Sequence, residues 1–183
     1  LALNLVGLDK TDVVRGSVVC DPKVSMTTNR FDARVEIRPN AGRMVGNHER
    51  VRIHLGTAEI IGKIVLLDGV DFLEPKAKAM CQIVSEEPLV ALRGDRFVLR
   101  NETAQLTLGG GVVLHPFARR HRKAEADMIP RLEALQSPQL REACHAYLEV
   151  CPQFAVPIEE LYHGVNPEEE EILRVLKEDS EVL

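Results

Sequence analysis

The sequence predicts a mainly β protein with a helical C-terminal module: a six-stranded antiparallel barrel followed by a winged-helix-like domain. Short runs between residues 30 and 114 alternate apolar and polar with a period of two, as strands with one buried face do. Gly, Pro, Asn and Asp break those runs at regular intervals, the punctuation of an all-β barrel or sandwich. Helical periodicity begins only after residue 117. The predicted division is 1–22 as the end of a preceding β-domain, 23–117 as the barrel and 118–183 as the helical module.

Leu1–Val6 and Ser17–Cys20 read as short strands separated by turns at Gly7 to Lys10 and Arg15-Gly16. Two short strands cannot bury a core alone, so this segment reads as the tail of a domain whose earlier strands lie upstream. After a polar connector, Phe31, Ala33, Val35 and Ile37 face one way and Arg30, Asp32, Arg34, Glu36 and Arg38 the other. Gly46-Asn47-His48 reads as loop. Arg50–Leu55 alternates again, and Thr57–Leu67 is a longer β run with Gly62 as a bulge or bend. Asp68-Gly69 is a turn, and Ala77, Ala79, Cys81 and Ile83 form the inward face of the next strand.

Pro88–Leu114 then reads as a short strand, a tight Arg93-Gly94-Asp95 turn, a strand, a polar loop and a closing strand. Phe97 and Leu99 point in, and Arg96, Val98 and Arg100 point out. Gly109-Gly110-Gly111 serves either to reach φ values closed to other residues or to let another backbone come near.

In the helical part, Ala124–Leu135 presents Met128, Ile129, Leu132 and Leu135, with Pro130 an awkward interior residue. Ser137-Pro138 has the cap and first-turn signature of a second helix, striped by Leu140, Ala143, Cys144, Tyr147, Leu148 and Cys151. Pro157–His163 is short, and Asn166-Pro167-Glu168-Glu169 starts a helix that offers Ile172, Leu173, Val175 and Leu176. A short helix, a turn and a capped helix resemble a helix-turn-helix or winged-helix module.

The chain has 183 residues, 45% hydrophobic and 28% charged, which is ordinary for a globular protein. Its net charge of −5 is unevenly spread. Residues 1–117 hold 15 Lys and Arg against 14 Asp and Glu, and residues 118–183 hold 8 against 14. No apolar run approaches the roughly 20 residues needed to cross a bilayer, and four cysteines without a paired spacing favour a reducing, cytoplasmic setting.

Motifs for catalysis are missing. There is no GxxxxGK[ST] loop, GxSxG elbow or HExxH, and the six histidines lack metal-ligand spacing. His145 reads as an exposed neighbour of Cys144, and Glu168–Glu171 as a solvated first turn. The chain is therefore read as non-enzymatic, with no catalytic residue and no metal site. Arginines recur on strand faces: Arg30, Arg34 and Arg38; Arg50 and Arg52; Arg96 and Arg100. Guanidinium rows suit phosphate backbones; the bland alternative pairs them with Asp32, Glu36 and Glu59. Arg119–Lys123 is either a linker or a phosphate clamp.

Several phrases together resemble translational elongation factors. Asp9-Lys10 through Val13-Val14-Arg15-Gly16-Ser17-Val18-Val19 is similar to the end of their second domain. His54–Glu59, Glu87–Ala91, Gly94–Arg100 and Gly109–Leu114 resemble the third, EF-Tu-like barrel domain, and the set with Arg119–Lys123 resembles most the selenocysteine-specific (SelB-like) factors. The resemblance implies part of a factor that binds selenocysteinyl-tRNA and delivers it to the ribosome in a GTP-dependent way. The implied partners are that tRNA, the ribosome and, through further winged helices, an mRNA hairpin. GTP and Mg2+ are implied for a GTPase domain outside this chain. Carried over residue by residue, the tRNA-backbone contacts fall on Arg96, Arg100, Gln105, Thr107 and Gly109. The alternative is a non-catalytic protein-interaction barrel of another translational GTPase.

Overall fold

The computed structural model describes residues 4–9, 11–24, 26–121, 127–151, 155–166 and 169–179. A one-turn 3-10 helix, Pro22–Val24, precedes eight strands: β1 Thr28–Ile37, β2 Val45–Gly46, β3 Arg50–Leu55, β4 Ala58–Leu66, β5 Phe72–Leu73, β6 Lys78–Leu89, β7 Arg96–Asn101 and β8 Thr107–His115. Four helices follow: α1 Met128–Ala134, α2 Leu140–Val150, α3 Ile158–Val165 and α4 Glu169–Lys177. Six strands close into an antiparallel barrel in the order β1-β6-β4-β3-β7-β8, while β2 and β5 form a small separate pair.

The alternation in the sequence is what fills the barrel. Phe31, Val35, Ile53, Ile64, Ile83 and Leu99 are fully buried inside it, and Phe31 meets Phe97 edge-on at 5.4 Å. Glycines set how closely the strands pass. A Cβ on Gly109 would lie 2.2 Å from the Glu36 carbonyl oxygen, and one on Gly110 2.5 Å from that of Phe97. Close backbone approach, not left-handed φ, is thus the reason for the triple glycine. Gly62 differs from the expected bulge in the same way. Its strand keeps register with both neighbours, and a Cβ there would sit 2.6 Å from Ile53 Cδ1 and from the Val84 oxygen. The irregularity lies instead in β6, where the register jumps between Arg30↔Val84 and Thr28↔Leu89. Pro88, lacking an N–H, falls within that bulge, so the short strand expected from Pro88 is the end of β6.

Other expectations fail for identifiable reasons. Ser17–Cys20 and the described part of Leu1–Val6 are not strands. Val6, Val18 and Val19 are exposed, and no neighbouring strand completes a ladder with them. Lys10 and Leu1 to Leu3 lie outside the described residues. Asp32, placed on the solvent face by alternation, is fully buried. Pro130 occupies the first turn of α1, where its missing N–H is no loss, because the helix begins at Met128 rather than Ala124. The start expected at 124–126 is outside the described residues. Residue Ser137 does not cap α2: its Oγ accepts the Gln139 N–H at 3.1 Å and the helix starts at Leu140. Asn166, expected to open the last helix, closes α3 in a left-handed conformation at φ 68°; Pro167 and Glu168 are not described. Leu173 faces solvent, and Ile172 carries the burial.

The helical module completes its core with the barrel. Leu132, Leu135, Tyr147, Leu161 and Ile172 pack together with Met80 of β6 and Leu114 of β8. His115, at the end of β8, meets Tyr147 edge-on at 4.8 Å. Gly164 lies under the same ring, where a Cβ would be 1.8 Å from Tyr147 Cε2.

Candidate nucleic-acid interface

The outer wall of β3, β7 and β8 carries the residues singled out from the sequence. Alternation turns Arg96, Val98 and Arg100 outward, and the ladder sets Arg100 opposite Arg52 on β3 and Thr107 on β8. Arg100, Thr107 and the exposed Gln105 between them therefore form one neighbourhood. Arg96 lies four residues along β7, about 13 Å away, opposite Val112. Gly109 is not a free surface; it is wedged against β1.

The loop joining β7 to β8 is held in shape by Asn101, whose importance sequence reasoning missed. Its Oδ1 accepts the Leu106 N–H at 2.7 Å and its Nδ2 donates to Thr103 Oγ1 at 2.8 Å. The Ala104 N–H closes onto the Asn101 carbonyl at 2.8 Å, placing Ala104 at φ 57°. Asn followed by a run of polar residues between two strands was the available signal. A loop already ordered loses less entropy when it binds.

Charge on this wall is divided between paired and unpaired arginines. Arg50 contacts Glu86 at 2.8 Å and Glu102 at 2.7 Å. Arg52 contacts Glu59 at 2.8 Å and donates to the Glu102 carbonyl, while Arg15 reaches the same Glu59 at 3.2 Å. The Arg52 hydrogen bond holds the Glu59 carboxyl below its usual range. Lys78 takes Glu36 at 3.4 Å. Of the pairings in the bland alternative, Arg52 with Glu59 forms, while Arg50 is paired with Glu86 and Glu102 instead. Arg96 and Arg100 have no ion-pair partner among the described residues, and Arg100 Nε is buried without an acceptor. His54, beside Val98 in the ladder, also buries an unpartnered Nε2; burial pushes its pKa down. A polyanion running along this wall would meet two guanidinium groups that no carboxylate among the described residues neutralises.

Arg34 and Arg93 are directed at the helices. Arg34 donates to Gln136 Oε1. Arg93 Nε donates to the Leu135 carbonyl at 2.9 Å, Nη2 to the Ser137 carbonyl at 3.0 Å and Nη1 to the Val165 carbonyl at 3.1 Å. Its positive charge thus closes the C-terminal ends of α1 and α3, where the helix dipole is negative. Asp32 joins the barrel to the linker: Oδ2 contacts His121 Nε2 at 2.7 Å and Oδ1 accepts from Gln82 at 2.8 Å. Of the basic run, Arg119 and Arg120 are exposed, and Arg122 and Lys123 lie outside the described residues.

No group of three or more His, Cys, Asp or Glu able to hold a metal occurs among the described residues. His145 is not a bystander, since its Nε2 bonds the buried Asp179. Burial pushes the Cys144 and Cys151 thiols up to about 11 and about 12, so both stay protonated and unreactive at neutral pH. No helix among the described residues is long and apolar enough to cross a membrane.

The chain is similar to known proteins. Residues 32–120 match the family described as "Selenocysteine-specific elongation factor, beta-barrel domain". A selenocysteine-specific elongation factor of Desulfomicrobium baculatum is 31% identical over 127 residues, covering 69% of this chain and 20% of that protein. A solved structure, a bacterial selenocysteine-specific elongation factor EF-Sec, superposes with a TM-score of 0.63 at 23% identity, over 93% of this chain and 25% of the other. This chain thus spans about a fifth of the length of the curated relative it matches.

Proposed function

We propose that this chain, whose residues 32–120 belong to the selenocysteine-specific elongation factor beta-barrel domain family, grips the arm of a selenocysteinyl-tRNA that such a factor delivers to the ribosome. The observation that carries the reading is the pair of unpaired arginines beside a preformed loop. Arg96 and Arg100 keep their charge available while the neighbouring Arg50 and Arg52 are neutralised. Contacts of this kind go to the phosphate backbone and carry no base information. Gln105 and Thr107 add neutral hydrogen-bond donors, and Gly109 acts by holding β8 against β1.

GTP and Mg2+, which the relationship implies for delivery, find no phosphate cradle in the Gly109–Gly111 run. The one glycine run is packed against the Glu36, Phe97 and Arg34 carbonyl oxygens and leaves no cradle for a phosphate. The helical module, acidic and winged-helix-like, serves as a docking spacer toward elements that hold the mRNA hairpin.

The test is a salt titration of tRNA binding with Arg96→Ala and Arg100→Ala. Each is expected to weaken binding about three- to tenfold and to lower the log–log salt slope by close to one. Unchanged affinity and slope in both would favour a protein-interaction role for this wall.

A further inference from the structure

The opposite wall of the barrel carries a second cationic feature. A cleft of about 530 Å³ opens between β1, β6 and β4 on one side and Arg120, His121 and Met128 on the other. Half-buried Val65 and Val84 lie beside Gln82 on its floor, with the buried Met128 at the end. Arg30, Lys63 and Arg120 line it, against a single acidic residue among the described ones, Asp71. The register puts Arg30, Val84 and Lys63 in one cross-strand row, so the two cations leave the sheet about 10 Å apart. At that spacing two long side chains can close on one phosphate.

What distinguishes this cleft from an ordinary solvated face is the neutrality of its partners. Arg30 Nη1 donates to Gln82 Oε1 at 2.7 Å, which fixes the guanidinium without cancelling its charge. Gln82 is oriented in turn by Asp32 Oδ1 at 2.8 Å and the Arg119 carbonyl at 2.7 Å. The Asp32 carboxylate lies fully buried behind the floor and is engaged by His121. Lys63 and Arg120 are exposed and have no ion-pair partner among the described residues. On the rim, His48 is held at φ 62°, a strained conformation for a residue with a Cβ. Its N–H is anchored on the Ile64 carbonyl at 2.8 Å.

We propose that this cleft is a second RNA-backbone site, with a phosphate between Arg30, Lys63 and Arg120 and the ribose side against Val65 and Val84. It rests on the reading that the chain handles RNA, but it uses none of the residues on the β7–β8 wall. Guanidinium and ammonium groups together along one face suit a repeating phosphodiester, whose charge recurs along the strand, better than a single carboxylate. The barrel would then hold RNA on two opposite walls.

The experiment titrates the whole chain with a labelled mixed-sequence RNA duplex over a range of salt. Lys63→Gln with Arg120→Gln is compared with Arg96→Gln with Arg100→Gln, and with all four changes together. The cleft pair is expected to weaken binding about tenfold and lower the salt slope by one to two. Its effect should add to that of the other pair on a logarithmic scale. Lys63→Arg should bind as the wild type does, and a thermal melt of the cleft pair should match wild type, since neither side chain is packed. If the cleft pair binds the duplex normally while the other pair loses affinity, the cleft proposal is overturned and the β7–β8 reading stands. If the cleft pair loses binding only to poly-glutamate, the site is for an acidic protein and the proposal is likewise overturned. Normal binding by the quadruple variant would overturn both readings.

Discussion

In the barrel, six strands hydrogen-bond into a closed ladder and the interior is filled by the barrel's own side chains. In the helical module, by contrast, Met80 and Leu114 of the barrel complete the core, and Arg93 of the barrel closes two helix ends. The difference teaches that the barrel is self-sufficient and the module is conditional on it. Binding chemistry placed on the barrel wall therefore rests on a rigid support, while the helices are positioned through a few identifiable side chains.

Gly109→Ala should break the barrel itself. Its Cβ would fall 2.2 Å from the Glu36 carbonyl oxygen and 3.0 Å from Ile37 Cα, and that β1 backbone cannot yield without opening the β1–β8 ladder. A loss of at least about 3 kcal/mol is expected in urea unfolding, with protection from amide exchange lost in β1 and β8 alike. Gly164→Ala should break the other side of the comparison. Replacing a helical glycine by alanine ordinarily stabilises by about 1 kcal/mol. Here the added methyl would strike the Tyr147 ring, and a loss of about 3 kcal/mol is expected. Exchange protection should fall in α2 and α3 and persist in the barrel strands.

Arg93→Ala removes donors to three helix-end carbonyls. Charged hydrogen bonds of this type make a loss of about 2 kcal/mol the expected outcome, again confined to the helices by exchange. A loss spread equally over the barrel strands would contradict the division between the two regions.

The smallest effect concerns His115, buried at the junction and facing Asp32 and His121, with its pKa lowered to about 4 chiefly by burial. The folded value lies below the unfolded value of about 6.5, so the unfolded chain takes the proton first as pH falls. Stability should be full above about pH 6.5, decline through the interval and stop declining from this cause below about pH 4. Between about pH 7 and pH 5.5 the loss is about 1 kcal/mol. His115→Phe keeps a ring against Tyr147 and should flatten that part of the profile. An unchanged slope would show that His115 is not the titrating group.

The barrel was legible because its signal is local. Phe31, Ala33, Val35 and Ile37 announce a buried face within one strand, and β3 begins and ends where Arg50–Leu55 predicts. Arg93-Gly94-Asp95 was legible as a turn, with Gly94 at φ 90°. That Arg93 reaches the ends of α1 and α3 was not legible, because its acceptors lie 42 to 72 residues away. Asp32 sits where strand alternation calls for solvent, and only the arrival of His121 and Gln82 buries it. Asn166 has the chemistry for either end of a helix, and the chain uses it to close one. At the candidate site, the sequence singled out Arg96 and Arg100 but could not separate them from Arg50 and Arg52. The separation depends on Glu86 of β6, Glu59 of β4 and Glu102 of the β7–β8 loop arriving beside Arg50 and Arg52.

The central claim, that RNA lies along the β7–β8 wall, is tested most directly by amide chemical-shift mapping of the whole chain against an RNA duplex with the sequence of the tRNA acceptor and T-stem arm. The account predicts that shifts at low protein occupancy concentrate at Arg96, Arg100, Gln105 and Thr107, and that they diminish as salt is raised. Shifts confined to α2, α3 and α4, with the β7–β8 loop unmoved, would contradict it.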